Sequence, residues 1–179
     1  MAVLSIPDKN IVIDNPIEIR EFFNQRNLFF DQWHCDMHFD DNASQDEILK
    51  AYENDLKPFM EKGGYLTADV ISINRLTENY EAIRAKFLAE HTHSEDEIRF
   101  FVDGKGLFWF NMEGEPVFNL LCERGDLISV PAGTKHWFDA GENNPFVKAI
   151  RIFIDTSGWV PVYTESGIEK KYAGLTVSE

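Results

Sequence analysis

"EIRFFVDGKGLFWFNMEGEPVFNLLCERGDLISVPAGTKHWFDAGENNPFVKAIRIFI", residues 97–154, holds five or six apolar runs of strand length. They are separated by "DGKG", "MEGEP", "ERG", "PAGT" and "GENNP". Gly, Pro, Asn and Asp give such segments their turn chemistry. Short strands set this close, with turns between them, predict an antiparallel sandwich or barrel.

Upstream the character differs. "DNPIEIREFFNQ" offers Asn15 as a helix cap and Pro16 at the first helical position. "SQDEILKAYENDLKPFMEKGG" opens on Ser44 and Glu47 as a capping box and closes on Gly63 and Gly64. Pro58 is expected to kink or divide that helix. "NYEAIRAKFLAE" is a third helix, and "ADVISI" is a strand between helices. The chain thus reads as a single domain over residues 1–179. Residues 1–89 form an α+β elaboration packed on a core barrel of residues 90–156, and residues 157–179 form a tail without an assigned structure.

Composition narrows the partners. The 179 residues carry a net charge of −14, with 44% hydrophobic and 13% aromatic residues. Such a field repels phosphate backbones and anionic membranes, so neither nucleic acid nor a membrane is an expected partner. An anionic small molecule would need a local positive centre, such as a metal or a buried arginine. Cys35 and Cys122 form no CxxC pattern, which fits a reducing compartment. The start, "MAVLSIPDKN", lacks the basic and apolar regions of a signal peptide. No run approaches the ~18 apolar residues of a membrane span. The expected location is the cytoplasm.

At the start of the barrel lies "EHTHSEDEIRFF", residues 90–101. In an extended chain, side chains alternate faces, so His91, His93, Glu97 and Arg99 would point the same way. Unpaired charges on an inward face are costly. A metal removes that cost, because it pairs with the carboxylate and takes neutral imidazoles as donors. His136 opens the strand after the "PAGT" turn and can return to face the first group. Glu95 shares the parity and competes with Glu97 as the carboxylate. An HxH pair alone also fits half-exposed histidines at a helix end, with "SEDE" as a solvated loop. His34 and His38 have i, i+4 spacing, but their surroundings read as strand and loop, so they are not expected to bind metal. Phe100 has outward parity. Phe138 shares the face of His136.

The two segments resemble the paired motifs of the cupin superfamily. The first is HxH, three or four residues, Glu, six residues, Gly, matched by His91, His93, Glu97 and Gly104. The second is Gly, five residues, PxG, two residues, His, matched by Gly125, Pro131, Gly133 and His136. Ala85 stands where a glycine usually leads the first motif, and Ala140 where an asparagine often ends the second. Neither position is a ligand. The resemblance implies a mainly β, jelly-roll (double-stranded β-helix) barrel.

At closer range, "KFLAEHTHSEDEIRFFVDGKGLF", "LCERGDLISVPAGTKHWFDAG" and "AIRIF" look like the acireductone dioxygenases of methionine salvage. The resemblance implies one Fe(II) or Ni(II) per chain on His91, His93, Glu97 and His136. It implies that Arg99 stabilises the substrate dianion, that Glu90 serves metal incorporation and that Asp96 serves local conformational coupling. Phe138 is a candidate wall for the methylthio chain of the substrate. The implied reactants are acireductone, 1,2-dihydroxy-5-(methylthio)pent-1-en-3-one, and O2, and the implied state is a monomer. Iron would give 4-methylthio-2-oxobutanoate and formate; nickel would give 3-methylthiopropionate, formate and CO. Two alternatives keep the same motifs: a metal-dependent cupin isomerase or decarboxylase, and a non-catalytic cupin that binds a small molecule.

Overall fold

The computed structural model describes residues 1–40, 42–154 and 160–177. In chain order the strands and helices are β1 (Val3–Ile6), β2 (Ile11–Ile13), α1 (Pro16–Asn24), β3 (Phe29–Gln32), α2 (Gln45–Ala51), α3 (Glu53–Gly63), β4 (Thr67–Ile73) and α4 (Tyr80–Leu88). There follow β5 (His91–Thr92), β6 (Glu97–Phe110), β7 (Phe118–Glu123), β8 (Asp126–Val130), β9 (His136–Asp139), β10 (Val147–Phe153) and β11 (Val162–Tyr163). A 3-10 turn at Ile168–Tyr172 closes the described tail.

The helix ends follow local chemistry. Asn15 Oδ1 accepts the Ile17 N–H at 2.9 Å, with Pro16 at the first position of α1. Ser44 and Glu47 form the expected reciprocal box on α2. Gly64, at φ 74°, caps α3 in the left-handed region. Pro58 does not divide the helix. The break falls at Tyr52 (φ −103°, ψ 13°), and Pro58 lies within α3. Tyr52 is buried against Phe100 with its hydroxyl 2.8 Å from Cys35 Sγ, so tertiary contacts set the break. The bond that Pro58 cannot donate would have gone to Asn54, in the first turn of the new helix.

The strands build two facing sheets. One runs β11-β5-β9-β6-β7-β1-β2, and the other β3-β8-β6-β10-β4. The N-terminal strands are hydrogen-bonded into these sheets rather than resting on them: β1 joins β7, β3 joins β8 and β4 joins β10. Phe101, Phe108, Phe110, Phe118, Ile128 and Phe138 fill the space between the sheets. Ile98, Phe100, Val102, Ile150 and Ile152 face outward, where Ile48, Tyr52 and Leu56 of the α2–α3 region cover them. Covering both faces explains why β6 is apolar on alternate residues of each parity. The expected boundary between barrel and tail, at residues 156 and 157, lies outside the described residues.

"DGKG" is not a turn. β6 runs unbroken from Glu97 to Phe110 and belongs to both sheets. Its first half pairs with β8 and β10, and its second half with β7 and β9. The crossing falls at Gly104, beside a register shift against β10. Inward residues are odd up to Phe101 and even from Phe108, as expected of a bulge that adds one residue. Gly104 has φ 73°, and an added Cβ would lie 1.9 Å from the Phe146 carbonyl oxygen. Gly104→Ala is therefore expected to cost more than the ~1–2 kcal/mol of a left-handed non-glycine residue alone. A urea unfolding midpoint checks this; an unchanged midpoint would show that the crossing can relax.

Candidate metal centre

Three short segments meet at one end of the barrel. The chain from His91 to Arg99 is not one extended strand: β5 ends at Thr92, residues 94–95 bend, and β6 begins at Glu97. Convergence comes from pairing between segments instead. His91 and His136 are direct partners across β5 and β9. Gly133 N–H donates to the His93 carbonyl at 2.9 Å, tying the "PAGT" turn to the first motif. Asp96 Oδ1 accepts the Ala132 N–H at 3.0 Å, and Asp96 Oδ2 accepts the Tyr65 hydroxyl at 3.3 Å.

The result is a buried cluster of His91, His93, Glu97 and His136 whose candidate donor atoms all lie within 4.8 Å of one another. Glu97 Oε2 is 2.9 Å from His136 Nε2 and 3.0 Å from His93 Nε2. Each ring turns its Nδ1 to a backbone carbonyl: His91 to Ala89 at 2.7 Å, His136 to Thr134 at 2.8 Å and His93 to Val160 at 3.3 Å. A carbonyl only accepts, so Nδ1 carries the hydrogen and Nε2 presents its lone pair to the centre. Lone pairs of imidazole and carboxylate repel unless a proton or a cation lies between them. Burial, with His136 second, pulls the His91 pKa down to about 4, so that ring is neutral near pH 7. Burial raises the Glu97 pKa, but Arg99 and the bonds to His136 and His93 outweigh it and hold the carboxyl well below its usual range. Neutral nitrogen donors and one ionised carboxylate suit a divalent first-row ion.

Arg99 completes the arrangement. Its Nε lies 2.8 Å from Glu97 Oε1, and its guanidinium carbon lies 4.6 Å from the centre of the Phe138 ring. Another nearby carboxylate, Asp139, is engaged by Arg84 at 2.9 and 3.2 Å. Glu95 is not in the cluster among the described residues. A cavity of about 140 Å³ adjoins the cluster, lined also by Lys86, Phe87, Phe138, Arg151, Pro161 and Tyr163. Phe138 thus faces the cavity, while Phe100 packs outward on Trp33 and Tyr52.

Over residues 9–161 the chain matches the model of the ARD/ARD' family. The chain belongs to this family. It is 54% identical over 177 residues to the acireductone dioxygenase of Picosynechococcus sp., covering 99% of this chain and 100% of that one. It is 44% identical over 170 residues to that of Pseudomonas fluorescens, covering 95% and 92%. The solved acireductone dioxygenase from Bacillus anthracis, with a cadmium ion in its active centre, superposes with a TM-score of 0.82 at 32% identity, covering 91% of this chain and 98% of that one. The barrel of this ARD/ARD' member is accordingly the cupin fold.

The other residues singled out in the sequence lie around the cluster or away from it. Glu90 is buried and gripped by Asn111 Nδ2 at 2.7 Å, Ser166 Oγ at 2.8 Å and the Thr164 hydroxyl. It fastens β11 of the tail beside β5, which the sequence did not assign. Lys86, Phe87, Arg151 and Tyr163 were also missed as cavity walls. Arg151 carried a signal: it interrupts the apolar run of "VKAIRIF". His34 is exposed and pairs with Asp36, and His38 meets Arg124, both away from the cluster. Replacing His34 and His38 with glutamine is expected to leave metal content per chain unchanged; a stoichiometric loss would place the metal elsewhere.

Proposed function

We propose that this chain is an acireductone dioxygenase holding one Fe(II) or Ni(II) on His91, His93, Glu97 and His136. The observation that carries the proposal is the buried convergence of three Nε2-presenting imidazoles and one carboxylate. It occurs beside a guanidinium-lined cavity, in a chain of the ARD/ARD' family. Bound there, the ion supplies a Lewis-acidic charge that favours the ionised enediol. Arg99 is the catalytic residue of the protein itself. It is buried, fixed by Glu97, and cannot ligate a cation, so its charge serves the substrate dianion. Phe87 and Phe138 offer apolar walls to the methylthio chain and keep water from the electron-rich enediolate. The enediolate gives its electrons to O2 directly, which accounts for the use of a metal as redox-reluctant as nickel.

The products expected with iron are 4-methylthio-2-oxobutanoate and formate; those expected with nickel are 3-methylthiopropionate, formate and CO. Glu90 holds the tail against β5, which suits a part in metal incorporation. Asp96 ties the first motif to the "PAGT" turn and to Tyr65, which suits conformational coupling. We further propose that the whole chain acts as a single-domain cytoplasmic monomer. Among the described residues, no helix is long and apolar enough to cross a membrane. The test is oxygen uptake with acireductone by protein stripped of metal and reloaded with iron or nickel, with product analysis. Metal-dependent uptake and a product set that changes with the metal are expected. Turnover without oxygen uptake would make the protein an isomerase or decarboxylase, and binding without turnover a non-catalytic cupin.

A further inference from the structure

The cavity beside the cluster carries more positive charge than Glu97 requires. Arg99, Arg151 and Lys86 all line it, and Glu97 is the only carboxylate among its described lining residues. In a chain of net charge −14 this is a local reversal of sign. Arg151 stands on β10 directly opposite Arg99 of β6 on one side and Asp69 of β4 on the other. Asp69, Arg151 and Arg99 therefore form one row across three strands. Like charges directly opposite on neighbouring strands are unfavourable. Asp69 compensates by engaging Arg151 with two bonds, Nε to Oδ1 at 2.8 Å and Nη2 to Oδ2 at 2.6 Å.

Stability does not account for this placement. The Arg151 and Asp69 side chains are 29% and 36% exposed, and ion pairs that wet add little. Their arrangement does account for recognition of an anion. Arg99 is buried and fixed on Glu97 beside the cluster, so an oxygen on the solvent side of a ligand needs another cation. Asp69 fixes the plane of the second guanidinium at the cavity wall, and Arg151 keeps contact with solvent. We infer that Arg151 is a second anion-binding group of this cavity, taking the solvent-side oxygen of a small doubly charged ligand, and that Asp69 positions it. The inference rests on the reading of the substrate as a dianion.

The test uses the metal-loaded protein and two unreactive chelators, oxalate as a dianion and acetohydroxamate as a monoanion, titrated by calorimetry. Arg151→Gln is expected to weaken oxalate by ~10-fold or more, the scale of a lost hydrogen bond to a charged group. Acetohydroxamate should change much less. Arg151→Lys guards against loss of fold: it keeps the charge but not the fork, so weaker oxalate binding with its salt dependence retained is expected. Asp69→Asn should raise KM for the enediol while kcat holds, because it moves a binding group and not the reacting atoms. Oxalate binding equal to wild type in both Arg151 variants overturns the inference, as does equal weakening of the two chelators. The two readings fail separately. Oxalate held through Arg151 without oxygen uptake on the enediol sinks the dioxygenase and leaves the anion site. Oxygen uptake with oxalate binding indifferent to Arg151 sinks the anion site alone.

Discussion

Glu97→Gln is expected to strip the metal and with it the activity. The substitution keeps the shape of the side chain and removes its charge. Glu97 contacts His93 and His136 through one oxygen and Arg99 through the other, so it links two of the histidines to the arginine. A site made of neutral donors alone holds a divalent ion less tightly, and the charge stabilisation supplied by the ion, several kcal/mol, goes with it. A fall in turnover of about 10³ or more corresponds to ~4 kcal/mol. Metal analysis and oxygen uptake read this together; full metal content would show that the three histidines suffice.

The same variant carries a pH signature in the metal-free protein. It leaves Arg99 buried without its counter-charge, which costs ~3–5 kcal/mol when a buried pair is broken. The folded pKa of Glu97 is depressed below the ordinary 4.5. Its contribution is therefore fully present above that value and is lost as pH falls through the folded pKa. The gap in stability between wild type and Glu97→Gln should be wide at pH 7, begin to close only below the ordinary 4.5, and shrink as pH falls through the depressed folded pKa. A gap that stays constant with pH would mean that the charge of Glu97 contributes nothing to folding.

Arg99→Met is expected to keep the metal and lose the rate. Arg99 touches the carboxylate but is not a donor, so the ligand set survives. In the loaded protein the ion takes over as counter-charge to Glu97. What disappears is a fixed positive group beside the cavity, worth about 10²–10³ in turnover at comparable sites. Turnover should fall by that factor at full metal occupancy. In the metal-free protein the buried Glu97 is left with its histidines, so the variant should also be less stable there than the wild type. Combining Glu97→Gln with Arg99→Met should destabilise the metal-free protein by less than the sum of the single changes, because no lone charge remains. Unchanged turnover in Arg99→Met would reduce Arg99 to a partner of Glu97, and the dianion would need another cation.

The sequence alone determined the helix caps, the antiparallel class and which four residues gather in the cluster. These are local properties: Asn15, Ser44 and Gly64 act on neighbours within a few residues, and the motif spacing keeps both halves of the site on short segments. Tertiary structure decided the rest. Local chemistry reads "DGKG" as a turn, yet the chain runs straight through, because the second half of β6 gains partners on β7 and β9 and Gly104 absorbs the bend. Alternation placed Glu97 and Arg99 together correctly within β6, but the bend at residues 94–95 means that His91 reaches the centre by pairing with His136. The helix division expected at Pro58 falls at Tyr52 instead, where burial sets it. Arg151 and Tyr163 reach the cavity only through strand pairs formed by residues far apart in the chain. A residue's type and spacing state which chemistry it can offer; its neighbour across a sheet is set by pairing over long loops, and no local pattern encodes that.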